Sequence, residues 1–139
     1  MKKYMLILLL ICLTVSACAA KQNGKTLVGS WRLTAHGPVD SPTPAVPDAE
    51  AMLSFGADGT LTGNTGCNQI GGKYQVEGDQ ITFDSIVSTL IACPDLQMAQ
   101  EKTMLQVLAD TASFKIEGNT LTITNNDMVL VFEAMTSAT

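Results

Sequence analysis

Three turn dipeptides, each flanked by alternating apolar and polar residues, constrain this chain most. They are Asp58-Gly59, Gly78-Asp79 and Gly118-Asn119. Gly, Asn and Asp favour tight hairpin turns, and alternation of period two is typical of strands with one buried face. A further turn, residues 125–127, precedes a last apolar stretch, "MVLVFE". These patterns predict a meander of antiparallel strands.

Two other segments complete the predicted layout. "LVGSWRLTA", residues 27–35, alternates as a strand, and the proline-rich residues 37–48 predict an exposed loop. From Asp95 to Ala109 good helix formers replace the alternation, and Pro94 suits a first helical turn. The expected inward residues of this helix are Leu96, Ala99, Thr103 and Val107, with Met104 and Leu108 beside them. The predicted fold is α+β: about seven or eight antiparallel strands with one main helix packed against the sheet.

The N-terminus predicts an exported, lipid-anchored chain. Lys2 and Lys3 precede an apolar run of about a dozen residues, fewer than the roughly 20 of a membrane-spanning helix. "VSAC", ending at Cys18, resembles the lipobox of bacterial lipoproteins, whose cysteine is acylated after cleavage. We therefore predict a lipoprotein signal peptide at 1–17, a lipidated tether at 18–26 and a folded domain at 27–135. The alternatives are a secreted protein with Cys18 free, and a retained membrane anchor.

Localisation and charge follow from this prediction. Ala19 and Ala20 follow Cys18, where inner-membrane lipoproteins of enteric-type bacteria carry Asp. The lipobox resemblance therefore implies a lipid anchor in the cell envelope, in the outer membrane facing the periplasm. Without residues 1–17 the chain has 6 basic and 13 acidic side chains, a formal charge of −7. Such a chain repels nucleic acid and anionic lipid headgroups, so no nucleic-acid partner is expected.

The remaining cysteines predict one disulfide. Cys12 lies in the predicted signal peptide and Cys18 is assigned to the lipid, which leaves Cys67 and Cys93. Two cysteines in an oxidising compartment favour a bond between them. The alternative is two buried free thiols, because cysteine is also a good small core residue.

The window "GNTGCNQIGGKY", residues 63–74, is the first candidate for a binding loop. A phosphate-binding loop has a Gly, four residues of any type, a Gly-Lys pair and then Ser or Thr. If Gly72-Lys73 were that pair, Cys67 would stand in place of the first Gly and Tyr74 in place of the Ser or Thr. Glycines are instead expected where strands bend or pass closely, and the Asn68 amide where buried backbone groups need a partner, with a ligand site as its alternative. The glycines concerned are Gly63, Gly66, Gly71 and Gly72.

No set of residues predicts catalysis or metal binding. The chain has one histidine, His36, which we expect to be a solvated loop residue, and its two remaining cysteines lie far from it. No nucleophile is flanked by a base, and Asp58, Asp79 and Asp127 lie in turns. The prediction is a protein that is not an enzyme and that has no metal and no cofactor.

Two separated motifs resemble the META domain family of HslJ-like bacterial lipoproteins. The matching residues are Gly63, Gly66, Cys67, Asn68, Gly72 and Tyr74, followed by Thr89, Ala92, Cys93 and Glu101. Trp31 in the first strand also matches, whereas Ile70 and Ile91 depart from the family's usual residues. The resemblance implies a small twisted antiparallel sheet that is barrel-like but incomplete, with the helix at one side. It also implies a role in envelope stress or antibiotic tolerance, with no established reaction.

The functional expectation is a non-enzymatic envelope lipoprotein that binds an unknown partner, either an envelope protein or a small ligand. One alternative is a carrier that holds a small molecule or lipid inside the barrel. The other is an inhibitor of an envelope or host hydrolase that uses the proline-rich loop. A large interior volume would favour the carrier, and a filled core would weaken it.

Overall fold

The structure is a computed structural model that describes residues 26–136. The predicted signal peptide at 1–17, the predicted acylation site Cys18 and the predicted tether up to residue 25 lie outside the described residues. Within the described part, no helix is long and apolar enough to cross a membrane.

Nine strands and one helix make up the described chain. The strands are β1 Gly29–Pro38, β2 Thr43–Pro44, β3 Met52–Phe55, β4 Thr60–Asn64, β5 Gln69–Glu77, β6 Gln80–Ser88, β7 Thr111–Glu117, β8 Thr120–Asn125 and β9 Met128–Ala134. The helix, α1, spans Asp95–Val107 between β6 and β7. The proline-rich segment is exposed from Pro38 to Pro44, and its two-residue strand β2 pairs with β1.

Each predicted turn joins an antiparallel hairpin. The four hairpins are β3–β4, β5–β6, β7–β8 and β8–β9. Their turns contain Gly59, Gly78, Gly118 and Asn126, all with φ between 53° and 79°. This left-handed conformation is the one that Gly and Asn adopt most readily. The hairpins predicted from the sequence are confirmed.

The sheet closes on itself, and the predicted α+β fold with an incomplete barrel is wrong. β1 pairs with β3 from Gly29 to Arg32 and with β9 from Trp31 to Pro38. The eight strands other than β2 therefore form a closed antiparallel ring, and the protein is mostly β with one short helix. Alternation of apolar and polar residues indicates which face of a strand is buried, but not which other strand pairs with it. The pairing of the first and last strands was therefore not predicted.

A β-bulge in β1 explains a second incorrect prediction. Leu33 pairs with Phe132 and Ala35 with Val131, so the register shifts between them. Beyond the bulge the inward parity changes, and His36 lies opposite Leu130 with 9 % of its surface exposed. His36 is thus a buried strand residue and not a solvated loop residue.

Apolar side chains from all eight barrel strands and from α1 fill the interior. Burying each large apolar side chain contributes about 1.5–3 kcal/mol to folding. The members of this core include Trp31, Leu33, Leu53, Phe55, Leu61, Ile70, Tyr74, Ile81, Phe83, Met104, Val107, Leu108, Ala112, Leu121, Ile123, Leu130 and Phe132.

The two ends of the barrel differ. At one, named here the helix end, α1 packs beside the β4–β5 connection and the β8–β9 turn, and Asn125 Nδ2 donates to the Val107 carbonyl at 3.2 Å. The other, the N-terminal end, contains residues 26–28 and the remaining three hairpin turns. There the Trp31 Nε1–H donates to the Leu27 carbonyl at 2.8 Å. The described chain therefore begins at the end opposite α1.

The buried face of α1 is only partly the predicted one. Met104 and Val107 are buried, but Leu96, which we expected to face inward, is 70 % exposed. The polar residues Gln100 and Glu101 are buried in its place. Hydrophobic periodicity cannot identify such positions, because their burial depends on polar partners from other segments.

Candidate functional site

Three segments carrying the family motif converge at the helix end. They are the connection at 65–68, named here the corner, the segment 89–93 that follows β6, and the middle of α1. Thr65, Asn68, Gln100 and Glu101 are buried there, with at most 7 % exposure. This buried polar cluster is the largest concentration of functional groups in the core of the described chain, and it is the first candidate for a site.

The Asn68 side chain uses its full hydrogen-bonding capacity. Its Oδ1 accepts from the Ile91 N–H at 2.7 Å and from Thr89 Oγ1 at 2.8 Å. Its Nδ2 donates to the Ile91 carbonyl at 3.1 Å and to Glu101 Oε1 at 3.0 Å. Asn68 thus satisfies the backbone N–H and the carbonyl of Ile91 in the neighbouring segment, as predicted, and it has no group left to bind a ligand.

Glu101 accepts three hydrogen bonds, and no cationic side chain of residues 26–136 pairs with it. Thr65 Oγ1 donates to its Oε2 at 2.6 Å, and the Asn68 N–H donates to the same oxygen at 3.2 Å. With the bond from Asn68 Nδ2, donors occupy both carboxylate oxygens. Because each donor comes from the corner, the carboxylate ties α1 to the β4–β5 connection.

Gln100 makes a second link from α1. Its Nε2 donates to the Thr65 carbonyl at 2.7 Å, and its Oε1 accepts from the Val46 N–H at 2.8 Å. Thr65 and Gln100 were missed in the sequence analysis. Both lie next to motif residues, Gly66 and Glu101, and their side chains can donate and accept. Their position next to motif residues was the sequence signal that could have identified them.

A disulfide lies beside this cluster. Cys67 and Cys93 are bonded, with their Cα atoms 5.9 Å apart. The sulfur of Cys67 is therefore not a nucleophile. Together with Asn68, the bond connects the corner to the segment 89–93 at adjacent positions.

The structure brings together only part of the predicted family motif. Cys67, Asn68, Thr89, Cys93 and Glu101 meet at the helix end. Gly63 and Gly72 lie in the barrel wall and Ala92 is exposed. The Tyr74 hydroxyl lies towards the N-terminal end, where it donates to the Gly56 carbonyl at 2.6 Å. Gly63, Gly72, Ala92 and Tyr74 are therefore not part of the buried polar cluster.

Steric constraints explain why two motif positions are occupied by glycine. Gly66 has φ +93°, and a Cβ there would lie 2.6 Å from Gln100 Nε2. Gly72 lies opposite the bulge in β6, and a Cβ there would lie 2.6 Å from Ile86 Cδ1 and 3.0 Å from the Asp84 carbonyl oxygen. The glycines thus allow close approach of neighbouring segments, as expected.

The titratable groups with shifted pKa values are scattered. The Thr60 backbone N–H lowers the pKa of Asp58 by donating to its carboxylate at 3.0 Å. Burial raises the pKa of Tyr74 and lowers that of His36. The charge of Asp58 adds to the effect of burial in raising the pKa of Tyr74, whereas His36 lies on another strand. Among residues 26–136, no three His, Cys, Asp or Glu side chains are grouped to hold a metal ion.

The barrel interior offers no space beside its central side chains. Ten of them have no accessible surface, which means that no water-sized void adjoins them. They are Leu53, Leu61, Ile81, Met104, Val107, Leu108, Leu121, Ile123, Leu130 and Phe132. Ligand binding in this region would require the core to repack.

The outer surface has open grooves, and five of the nine exposed large apolar side chains of the described chain fall within residues 87–98. A groove of about 540 Å³ crosses β1, β3 and β4, and its only basic lining residue, Arg32, is paired with Glu133 at 3.1 Å. The apolar residues lie at the end of β6, in the segment after it and in the first turn of α1, and are named here the apolar surface. This surface consists of Val87, Leu90, Ile91, Leu96 and Met98, which are 39–96 % exposed.

Comparison with known proteins identifies the fold. The META domain family model matches residues 25–136. No curated protein sequence matches the chain. An NMR structure of a protein from Burkholderia xenovorans is 24 % identical with a TM-score of 0.64, covering 78 % of this chain and 83 % of that one.

Two crystal structures from Bacteroides are similar at lower identity. A DUF4847 family protein from Bacteroides vulgatus is 15 % identical with a TM-score of 0.57, covering 76 % of this chain and 91 % of that one. A lipocalin-like protein from Bacteroides uniformis is 13 % identical with a TM-score of 0.51, covering 78 % and 98 %. At these identities the similarity shows a shared fold and carries no information about ligands.

Proposed function

The chain belongs to the META domain family, and from that premise we propose that it is a non-enzymatic lipoprotein of the cell envelope that acts by binding a partner with its surface. The proposed anchor is Cys18, and the proposed setting is the periplasmic face of the outer membrane. A role in envelope stress or antibiotic tolerance is the biological process that the family resemblance suggests.

One observation carries the proposal. The buried polar side chains at the helix end form their hydrogen bonds within the protein. The Asn68 N–H and Nδ2 both donate to the Glu101 carboxylate, for example. A catalytic residue must keep an atom free for the substrate. Because these side chains have donors and acceptors already matched inside the protein, the cluster supports a structural role, and the outer surface is left for recognition.

The filled interior argues against the carrier alternative. Carriers with barrel folds enclose their ligands in a cavity lined by apolar side chains. In this barrel Met104 and Leu108 of the helix end, together with Phe132 from the wall, have no accessible surface. The description of one structural neighbour as lipocalin-like therefore does not by itself extend carrier function to this chain.

The anchor and the barrel together suggest an orientation. If Cys18 is acylated, residues 19–26 can extend at most about 28 Å from the membrane surface. Residue 26 enters at the N-terminal end, so the helix end would face away from the membrane. The corner, the disulfide and the apolar surface would then be available to a partner in the periplasm.

Photo-crosslinking in living cells tests this proposal. The full chain would carry a photoreactive residue at Leu90 of the apolar surface, at Lys115 on β7 or at Thr62 on β4, all of which are exposed. We expect at least one position to give a discrete crosslinked protein in the envelope fraction. Its formation should decrease strongly in the Cys18→Ser variant, which cannot be acylated.

Two results would contradict the proposal. Absence of crosslinks from all three positions, with a lipid or small molecule recovered by mass spectrometry of the purified chain, would support a carrier instead. Unchanged membrane fractionation of the Cys18→Ser variant, with a mass that differs from that of the unmodified chain only by the Cys-to-Ser replacement, would reject the lipid anchor.

A further inference from the structure

We propose that the open edge of β6, together with the apolar surface beside it, binds an extended basic segment of a partner polypeptide as an added β-strand. This inference rests on the proposed function and specifies the kind of partner that the surface fits.

The edge arises because β7 is paired with only part of β6. β6 extends to Ser88, but its pairing with β7 covers only Gln80 to Thr82. One more contact, from the Phe83 N–H to the Asp110 carbonyl at 3.3 Å, follows that pairing. From Asp84 onward, within residues 26–136, no strand pairs with this side of β6. An unpaired strand edge is a template for another strand.

A bulge interrupts the regular pairing of β6 with β5 at this edge. Gly71 pairs with Val87 and Lys73 with Asp84, so Ser85 and Ile86 together lie opposite a single residue of β5. Ser85 has φ 55° and is exposed. Bulged residues leave the regular ladder and occur frequently beside functional sites.

The apolar surface continues from this edge. Val87 is 67 % exposed, and Leu90, two residues beyond the end of β6, is 96 % exposed. With Ile91, Leu96 and Met98 they place five large apolar side chains within twelve residues of sequence. Single exposed apolar residues are ordinary, but a concentrated group is typical of an interaction site.

The buried cluster gives this surface a defined shape. Both backbone groups of Ile91 are bonded to Asn68, and Cys93 is bonded to Cys67. A surface that is already ordered loses less conformational entropy when it binds. The hydrogen bonds of the family motif therefore serve to position the apolar surface.

Charge selects a basic partner over a second copy of this chain. The described residues contain 13 acidic and 4 basic side chains, a formal charge of −9. Asp84 and Asp110 are exposed at the open edge and Asp95 is exposed at the start of α1, whereas Lys73 lies on the β5 side of Asp84. Two copies would repel each other, and a segment that alternates apolar and basic residues would match both the edge and its surroundings.

A synthetic peptide of alternating Val and Lys provides the probe. Binding of the labelled peptide to the full chain in uncharged detergent would be followed by fluorescence anisotropy. We expect Val87→Lys and Leu90→Lys each to weaken binding about tenfold or more, corresponding to about 1.4 kcal/mol. Val76→Lys is the matched control, because Val76 is also an exposed valine, 47 % accessible, but lies at the N-terminal end. It should bind the peptide as the unmodified chain does.

Amide exchange distinguishes strand addition from side-chain docking. On peptide binding we expect slower exchange at one or more amides of residues 84–87, and no such change with a peptide that is N-methylated at alternate residues. Equal binding of the methylated peptide, or of a Val/Glu peptide, would overturn the proposal. So would equal binding by Val87→Lys and Leu90→Lys. Leu90 is nearly fully exposed, so its substitution keeps the test valid if Val87→Lys impairs folding.

Two further outcomes separate this inference from the proposed function. A dimer seen by sedimentation that is lost in Val87→Lys would show that the edge pairs with a second copy, and would reject the basic partner. Crosslinks from Thr62 or Lys115 but none from Leu90 would sustain the proposed function and reject this surface.

Discussion

At the scale of single residues, Glu101 shows how a charged side chain can serve a structural purpose. It is 7 % exposed, and its carboxylate accepts from Thr65 Oγ1, from the Asn68 N–H and from Asn68 Nδ2. Hydrogen bonds to a charged group contribute more than those between neutral groups. The one acidic residue of the predicted family motif therefore stabilises the attachment of the helix.

Replacing Glu101 by Gln tests this role. An amide cannot accept at both of its terminal atoms, so one donor from the corner must lose its acceptor. We expect Glu101→Gln to lower the free energy of unfolding by about 2–3 kcal/mol, measured by chemical denaturation. Glu117→Gln is the control, because Glu117 is exposed and its ion pair with Lys115 lies at the surface. Equal stability of the two variants would contradict the structural role of Glu101.

The single histidine makes stability depend on pH. Burial lowers the pKa of His36 in the folded protein below its ordinary value of 6.5, and its Nδ1 has no hydrogen-bond partner within the described chain. The unfolded chain then binds more protons between the two pKa values. The stability associated with neutral His36 is therefore complete above pH 6.5 and is lost as the pH falls through the folded-state pKa.

Comparison with His36→Leu isolates this effect. The free energy of unfolding of both proteins would be measured from pH 8 to pH 5, and the carboxylates that both share cancel in the difference. We expect the unmodified chain to lose more stability than the variant as the pH falls below about 6.5. Parallel pH profiles would show that His36 is protonated equally in the folded and unfolded states.

At the scale of elements, β5 and β6 show why two adjacent glycines are not equivalent. A Cβ at Gly72 would approach Ile86 and the Asp84 carbonyl, whereas at Gly71 the nearest atom, the Leu61 carbonyl oxygen, is 3.9 Å away. Gly72→Ala must push the bulge outward, and we expect a loss of about 1–3 kcal/mol in unfolding free energy. Gly71→Ala should change it little. Thermal unfolding of the pair measures the difference, and similar transition temperatures would contradict the steric argument.

The helix shows the limit of periodic patterns at this scale. Its extent was predicted within two residues at the C-terminus, Ala109 against Val107, because helix formers replace alternation over that segment. Its buried face was predicted less well, since Gln100 and Glu101 are buried and Leu96 is exposed. Intrinsic propensity acts locally, whereas the orientation of a helix depends on which other segments supply partners.

At the scale of the whole molecule, closure of the barrel decides which edges are available. Pairing of β1 with β9 removes two edges that an incomplete barrel would expose, and the open part of β6 remains. Hydrogen–deuterium exchange tests this arrangement. We expect amides throughout β1 and β9 to be protected like those of the β7–β8 hairpin, and the amides of the bulged residues Ser85 and Ile86 to exchange faster. Rapid exchange at alternate amides of β9 would indicate an open sheet.

The sequence by itself determined the local structure of this protein. Turn dipeptides and alternation predicted the hairpins, and helix formers predicted α1, because these signals lie in neighbouring residues. The two separated motifs indicated the META domain family, because residue types at a given spacing can be recognised without knowledge of their contacts. The tertiary structure alone decided that the first and last strands pair, that His36 and Glu101 are buried, and that an edge of β6 stays open. These features depend on contacts between residues far apart in the chain, whose partners no local pattern specifies.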